Sequence, residues 1–119
     1  MTEFDILTDR VSAFVQERDW AKFHTPKNLA MCLSVETSEL LELYQWQLSG
    51  EGASYPGAGA PPQSRVEEEV GDVLISLINF CNATGIDPIQ AAMTKLESVK
   101  LKYPVEAIKG SAKRPTEIS

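Results

Sequence analysis

Two pairs of carboxylates set the chemistry this sequence can do. Glu36 and Glu39 stand three residues apart in Val35-Glu36-Thr37-Ser38-Glu39-Leu40-Leu41-Glu42, a stretch that otherwise reads as a leucine-rich helix. Glu69 and Asp72 repeat the spacing about thirty residues further on. Residues i and i+3 are neighbours on a helix, so each pair can aim at one point. Glu36 is the costly member, because it falls in the middle of the stripe formed by Leu29, Leu33, Leu40 and Leu43. Burying an unpaired charge costs several kcal/mol even after relaxation. Lys27 is the only basic residue of that helix and lies more than two turns away. Glu36 must therefore be protonated, find a basic partner elsewhere, or bind a cation. If the two helices pack side by side, four oxygen donors converge, and four negative charges in one place require cations.

The donor set bears on the cation. It is all carboxylate, with no histidine or cysteine pattern nearby, which suits Mg²⁺, or Mn²⁺ in its place. Di-iron bundles pair Glu with Glu-x-x-His, and the absence of such a histidine argues against an oxygen-activating iron site. Mg²⁺ with open coordination positions points to phosphoryl chemistry: charge neutralisation on a polyphosphate and activation of water. A blander reading stands beside this one. Glu-x-x-Glu is common on helix surfaces, and Glu67-Glu68-Glu69 alone reads as a solvated first turn favoured by the helix dipole. The matching alternative is a non-catalytic helical protein that binds a partner or senses nucleotide. Glu36 tilts the balance toward the metal.

Four helices must position these side chains. The first is expected over residues 3–18, from Phe4, Leu7, Val11, Phe14 and Val15 at helical spacing, with Thr2 as cap. Residues 18–24 connect it to the second. There, Trp20 and Phe23 fit either a local hydrophobic plug or a ligand pocket. His24, the only histidine, fits a structural hydrogen-bonding role more readily than a catalytic one. Thr25 and Pro26 start the second helix, expected to run to about residue 48. Residues 49–63 hold four Gly and three Pro, and read as a long loop, either a flap or a slack connection. Ser64-Arg65-Val66-Glu67 matches a capping box, so the third helix is expected over 64–83. Its apolar arc, Val66, Val70, Val73, Leu74, Leu77, Ile78, Phe80 and Cys81, is wide enough to pack on more than one side. Glu69, Asp72, Ser76 and Asn79 form the polar remainder. Gly85 ends this helix, Asp87-Pro88-Ile89-Gln90 starts the fourth, and Pro104 stops it near residue 102. The tail 109–115 is small, basic and irregular.

The bulk properties fit a single domain spanning 1–119. At 43% hydrophobic and 24% charged, the chain can bury a core. No apolar run is long enough for a membrane span, and the N-terminus does not read as a secretory signal. Cys32 and Cys81 lie in apolar helical patterns and are expected as reduced core residues of a cytoplasmic protein. A net charge of −6 argues against a nucleic-acid polymer as partner, though not against a single nucleotide.

Glu36-x-x-Glu39, a linker, then Glu69-x-x-Asp72 is similar to the signature of the MazG-like, all-α nucleotide pyrophosphohydrolases. Arg18-Asp19-Trp20, Phe23-His24-x-Pro26-x-Asn28-Leu29, Glu39-Leu40-x-Glu42 and Gln45-Trp46 resemble the family's small dCTP pyrophosphatase branch. So do Glu68-Glu69-x-Gly71-Asp72-Val73-Leu74 and Lys102-Tyr103-Pro104, while Lys109-Gly110-Ser111-Ala112-Lys113 looks like the tail of bacterial members. The resemblance covers nearly the whole chain. It implies an all-α, four-helix MazG-type bundle that assembles as a homodimer or homotetramer. It implies that Glu36, Glu39, Glu69 and Asp72 bind Mg²⁺ and catalyse hydrolysis of a nucleoside triphosphate, dCTP or a non-canonical dNTP, to monophosphate and pyrophosphate. Trp20 and Trp46 would contact the base, and His24, in the matching Phe23-His24-x-Pro26-x-Asn28-Leu29, would bind substrate. Lys95 and Tyr103 would lie on the phosphate side, and a neighbouring subunit would complete the site. Val99 stands where the family commonly has asparagine, and Val11 where the dCTP-cleaving branch has histidine. Both departures bear on base preference and leave the metal ligands untouched.

Overall fold

A computed structural model describes residues 1–47, 59–112 and 116. The four long helices expected from the sequence are present: α1 (Glu3–Glu17), α2 (Pro26–Glu42), α3 (Gln63–Thr84) and α4 (Pro88–Lys102). A 3₁₀ turn, Ala21–Phe23, follows α1, and a short α5, Val105–Ile108, follows α4. Among the described residues there is no strand, and no helix is long and apolar enough to cross a membrane.

Local chemistry fixes most of the boundaries. Thr2 and Asp5 form a reciprocal capping box on α1, Thr2 Oγ1 accepting from the Asp5 N–H at 3.1 Å and Asp5 Oδ2 from the Thr2 N–H at 3.0 Å. Thr25 Oγ1 accepts from the Asn28 N–H at 3.1 Å, with Pro26 in the first turn of α2. Asp87 Oδ1 accepts from the N–H groups of Ile89 and Gln90 at 3.0 and 3.1 Å. Gly85 adopts the left-handed conformation, φ 71°, that a helix C-terminus favours and that suits a residue without a Cβ.

Three boundaries differ from expectation. α2 ends at Glu42, and the chain from Leu43 to Gln47 tightens into i→i+3 turns such as Tyr44 N–H to Leu41 O at 3.0 Å. The Ser64 capping box does not form: α3 begins at Gln63 behind Pro62, whose φ of −58° is preset for helix entry and which makes no side-chain cap. After Pro104 one further helical turn, α5, intervenes. The expected 49–63 loop lies largely outside the described residues, as does the tail from 113 apart from Thr116.

The chain divides into two compact units, Met1–Gly85 and Ile86–Ser119. In the first, α2 packs along α3, and α1 packs on α3 less extensively. Val11 and Val15 of α1, Leu29 of α2, and Ile78 and Cys81 of α3 form the buried centre, with Ile78 only 1% exposed. This core is small for the number of apolar residues. Met31, Val35 and Leu41 on α2 and Val70, Leu74 and Ile75 on α3 are exposed. Cys32, expected in the core, is exposed too, while Cys81 is buried as expected. The apolar pattern of α2 is wider than the face that α3 covers. The second unit contains α4 and α5, neither with a buried residue, and exposes Ile89, Met93, Leu96 and Leu101.

Candidate metal centre

Glu36 and Glu39 stand on successive turns of α2, and Glu69 and Asp72 on successive turns of α3. Each offers one carboxylate oxygen, and these oxygens all lie within 4.8 Å of one another. α2 and α3 run antiparallel here, since Glu39, Glu42 and Gln45 share a cavity wall with Glu69 and Arg65. The first member of each pair is half-buried and the second exposed. Oε2 of Glu36 and Oε2 of Glu69 are sealed from solvent and have no hydrogen-bond partner.

The electrostatics follow from this crowding. Burial pushes the Glu36 pKa above its ordinary 4.5, and the charges of Glu39, Asp72 and Glu69 push it the same way. Glu69 is raised first by burial, then by Glu39 and Asp72, with the Arg65 guanidinium opposing. The ion pairs among the described residues are elsewhere: Arg18 with Glu17, Lys22 with Asp19, and Lys100 with Glu97, all exposed. Two buried carboxylate oxygens without partners, among four oxygen donors and no nearby nitrogen or sulfur ligand, fit a hard divalent cation. Two oxygens on opposite sides of Mg²⁺ lie about 4.2 Å apart, so a separation within 4.8 Å closes on the ion with little movement.

The other candidate residues fall in both units. Trp20 packs edge-on to Phe14, ring centroids 5.7 Å apart, under an Arg18 guanidinium 3.7 Å from the Phe14 ring. His24 lines a cavity of about 300 Å³ with Ser12, Gln16, Asn79 and Asn82, towards the C-terminal end of α3. Trp46 is 82% exposed and lies towards the other end, where the chain returns to α3. There Gly59, with φ +80°, comes so close that a Cβ on it would stand 2.9 Å from the Trp46 carbonyl oxygen. The structure thus separates His24 from Trp46 along α3, which rises about 21 Å between Arg65 and Asn79. Lys95 and Tyr103 belong to the second unit. Lys95 lines a groove on α4 with Asp87, Gln90 and Thr94, and Tyr103 caps the helix end through its N–H to Val99 O at 3.1 Å. Arg65 was not among the sequence candidates, although its position four residues before Glu69 puts it one turn from that carboxylate.

No family model matches the chain. Among solved structures, a pyrophosphatase from Archaeoglobus fulgidus superposes with a TM-score of 0.75 at 38% identity, over 87% of this chain and 94% of that one. The chain belongs to the MazG-like pyrophosphatase family. The curated relatives agree. dCTP pyrophosphatase 1 of Mus musculus is 40% identical over 108 residues, and that of Homo sapiens 37% over 108, each match covering 88% of this chain. The chain spans 61% of the length of these relatives.

Proposed function

We propose that residues 1–119 act as one domain that hydrolyses nucleoside triphosphates, dCTP or modified dNTPs foremost, to the monophosphate and pyrophosphate. The observation that carries this reading is the convergence of Glu36, Glu39, Glu69 and Asp72 around two buried, unpartnered oxygens. The names of the relatives support the substrate class. Water adds across the phosphoanhydride between the α- and β-phosphates: its oxygen joins one phosphorus, the bridging oxygen stays with the other, and a proton is released.

The four carboxylates would hold Mg²⁺, with Mn²⁺ as a substitute. When bound, the ion supplies charge neutralisation on the phosphates and lowers the pKa of water. Glu36 and Glu69 anchor the site from its buried side. Glu39 and Asp72 face the open side, where substrate phosphates and attacking water arrive. Trp20 and His24 serve the base end, and Lys95 and Tyr103 the phosphates. Because Trp20 precedes the His24 turn and Trp46 lies at the opposite end of α3, base contacts from both tryptophans require two copies of the chain. Exposed Met31, Cys32 and Val35 line an apolar groove beside Glu36 and support a homodimer or homotetramer that covers it. The acidic net charge supports a single nucleotide rather than a polymer as ligand. The role that goes with this reading is clearing the nucleotide pool of a cytoplasmic compartment.

The test is a panel of dNTPs with Mg²⁺, scored separately for pyrophosphate and orthophosphate. Pyrophosphate release is expected. Orthophosphate would make the protein a phosphatase, and tight binding without product would make it a nucleotide sensor.

A further inference from the structure

The carboxylate cluster adjoins a cavity of about 460 Å³, walled by Glu39, Glu42, Leu43 and Gln45 from the end of α2 and its following turn, and by Arg65 and Glu69 from α3. Among the described residues, Arg65 is the only cationic one in that wall. Its guanidinium forms no ion pair among the described residues, yet its charge reaches Glu69. The sequence from 48 to 58, which continues from this end of α2, contains no Lys or Arg. Among the described residues, then, one guanidinium without an ion pair faces three carboxylates across that wall.

A polyphosphate approaching four carboxylates is repelled unless positive charge meets it. A cation between the carboxylates answers part of that repulsion at the reacting phosphates. The phosphates beyond it need donors of their own. Arginine presents five N–H donors in a planar fork that matches phosphate oxygens two at a time, and it stays charged at any working pH. The cavity falls within the size range of small-ligand sites. It lies on the side of the cluster away from the His24 cavity, so a nucleotide with its base toward His24 directs its terminal phosphates toward Arg65.

We infer that Arg65 binds the β- and γ-phosphates of the substrate and then the pyrophosphate they become. This rests on the phosphohydrolase reading above. Arg65 is exposed, in the first turn of α3, and its replacement leaves the buried centre intact.

Calorimetric titration separates this role from a merely electrostatic one. Pyrophosphate and dCMP are titrated separately into the Mg²⁺-loaded wild type, Arg65→Ala and Arg65→Lys. Arg65→Ala is expected to weaken pyrophosphate binding about tenfold, the loss of one charge-assisted phosphate contact, and to leave dCMP binding unchanged. Arg65→Lys restores part of the loss, because it keeps the charge without the fork. In turnover, KM for the dNTP rises more than kcat falls. Equal pyrophosphate affinity in wild type and Arg65→Ala overturns the assignment, as does an equal loss for dCMP, which would place the effect on the cluster rather than on the terminal phosphates. Failure of the wild type to bind pyrophosphate overturns it as well. If no dNTP yields pyrophosphate, the proposed function falls, and the titrations still decide Arg65 independently.

Discussion

Replacing Glu36 by glutamine should stabilise the protein in the absence of divalent cations and abolish its stabilisation by them. Glu36 faces Glu39, Glu69 and Asp72, with an oxygen of each within 4.8 Å. At that separation two unit charges repel by about 0.9 kcal/mol in a water-like medium and about 3.5 kcal/mol at an effective dielectric of 20. Glu39 and Asp72 are exposed, so screening holds their contribution near the lower figure, and three neighbours together give roughly 1–3 kcal/mol. For a domain of this size about 1 kcal/mol corresponds to about 4 °C in Tm. Glu36→Gln is therefore expected to melt about 4–12 °C above wild type in a chelator at neutral pH. The pH dependence fixes the sign independently. Burial and the neighbouring carboxylates raise the Glu36 pKa above 4.5, so the native state holds its proton to higher pH than the unfolded chain does. That contribution to stability is fully present below the unfolded value and is lost as pH rises through the folded one. The gap between variant and wild type should therefore narrow on acidification. Saturating Mg²⁺ should raise the wild-type Tm, as any ligand of the native state does, and leave the variant nearly unmoved. Scanning calorimetry at fixed protein concentration reads all three effects. A variant that melts below wild type in chelator at neutral pH, or that gains as much from Mg²⁺, would refute the repulsion argument.

Three further outcomes are expected. Glu39→Gln should lower Mg²⁺-dependent pyrophosphate release by about a hundredfold or more with an unchanged far-UV spectrum; a wild-type rate would remove Glu39 from the site. Gly59→Ala should cost about 1–2 kcal/mol, because the new Cβ is both left-handed and pressed on the Trp46 carbonyl, and KM for the nucleotide should rise with it; an unshifted melt would sink the close approach. Asp87→Ala should cost about 1 kcal/mol by freeing the Ile89 and Gln90 N–H groups, seen as faster hydrogen exchange confined to the start of α4; unchanged exchange there would show that the cap is dispensable.

The sequence carried the helix starts well wherever a side chain makes the cap. Thr2, Thr25 and Asp87 hold their N-termini as their types and positions suggest, and Gly85 takes the left-handed turn. It misled where a motif competed with a rigid residue. Ser64 and Glu67 spell a capping box, but Pro62 already fixes the entry angle and the helix starts in front of the box. The end of α2 was illegible because Leu43, Tyr44 and Trp46 continue an apolar pattern after the hydrogen bonds have tightened to i→i+3. Glu36 stands out from periodicity alone, because a carboxylate in a leucine stripe is an energetic anomaly; Glu69 and Asp72, taken alone, read as ordinary surface acids and drew notice only through their matching spacing. Arg65 could not, since a lone arginine in the first turn of a helix looks like ordinary surface until the cavity beside it is seen. Cys32 marks a different limit. Periodicity reports that a face is apolar but not what covers it, and this face is left open in the single chain.

The antiparallel course of α2 and α3 has a consequence for how a substrate is oriented. Exchanging the two helices about an axis between them would carry Glu36 onto Glu69 and Glu39 onto Asp72, and each half-buried carboxylate onto the other. Such a nearly two-fold arrangement has no head or tail of its own. A linear triphosphate, which does, would fit it equally well reversed. Directionality must come from the unlike termini of the helix pair: a guanidinium at one, a histidine-lined cavity at the other. On the proposed function, the four carboxylates would set that a phosphoanhydride is broken, and the residues at the two ends would set which one.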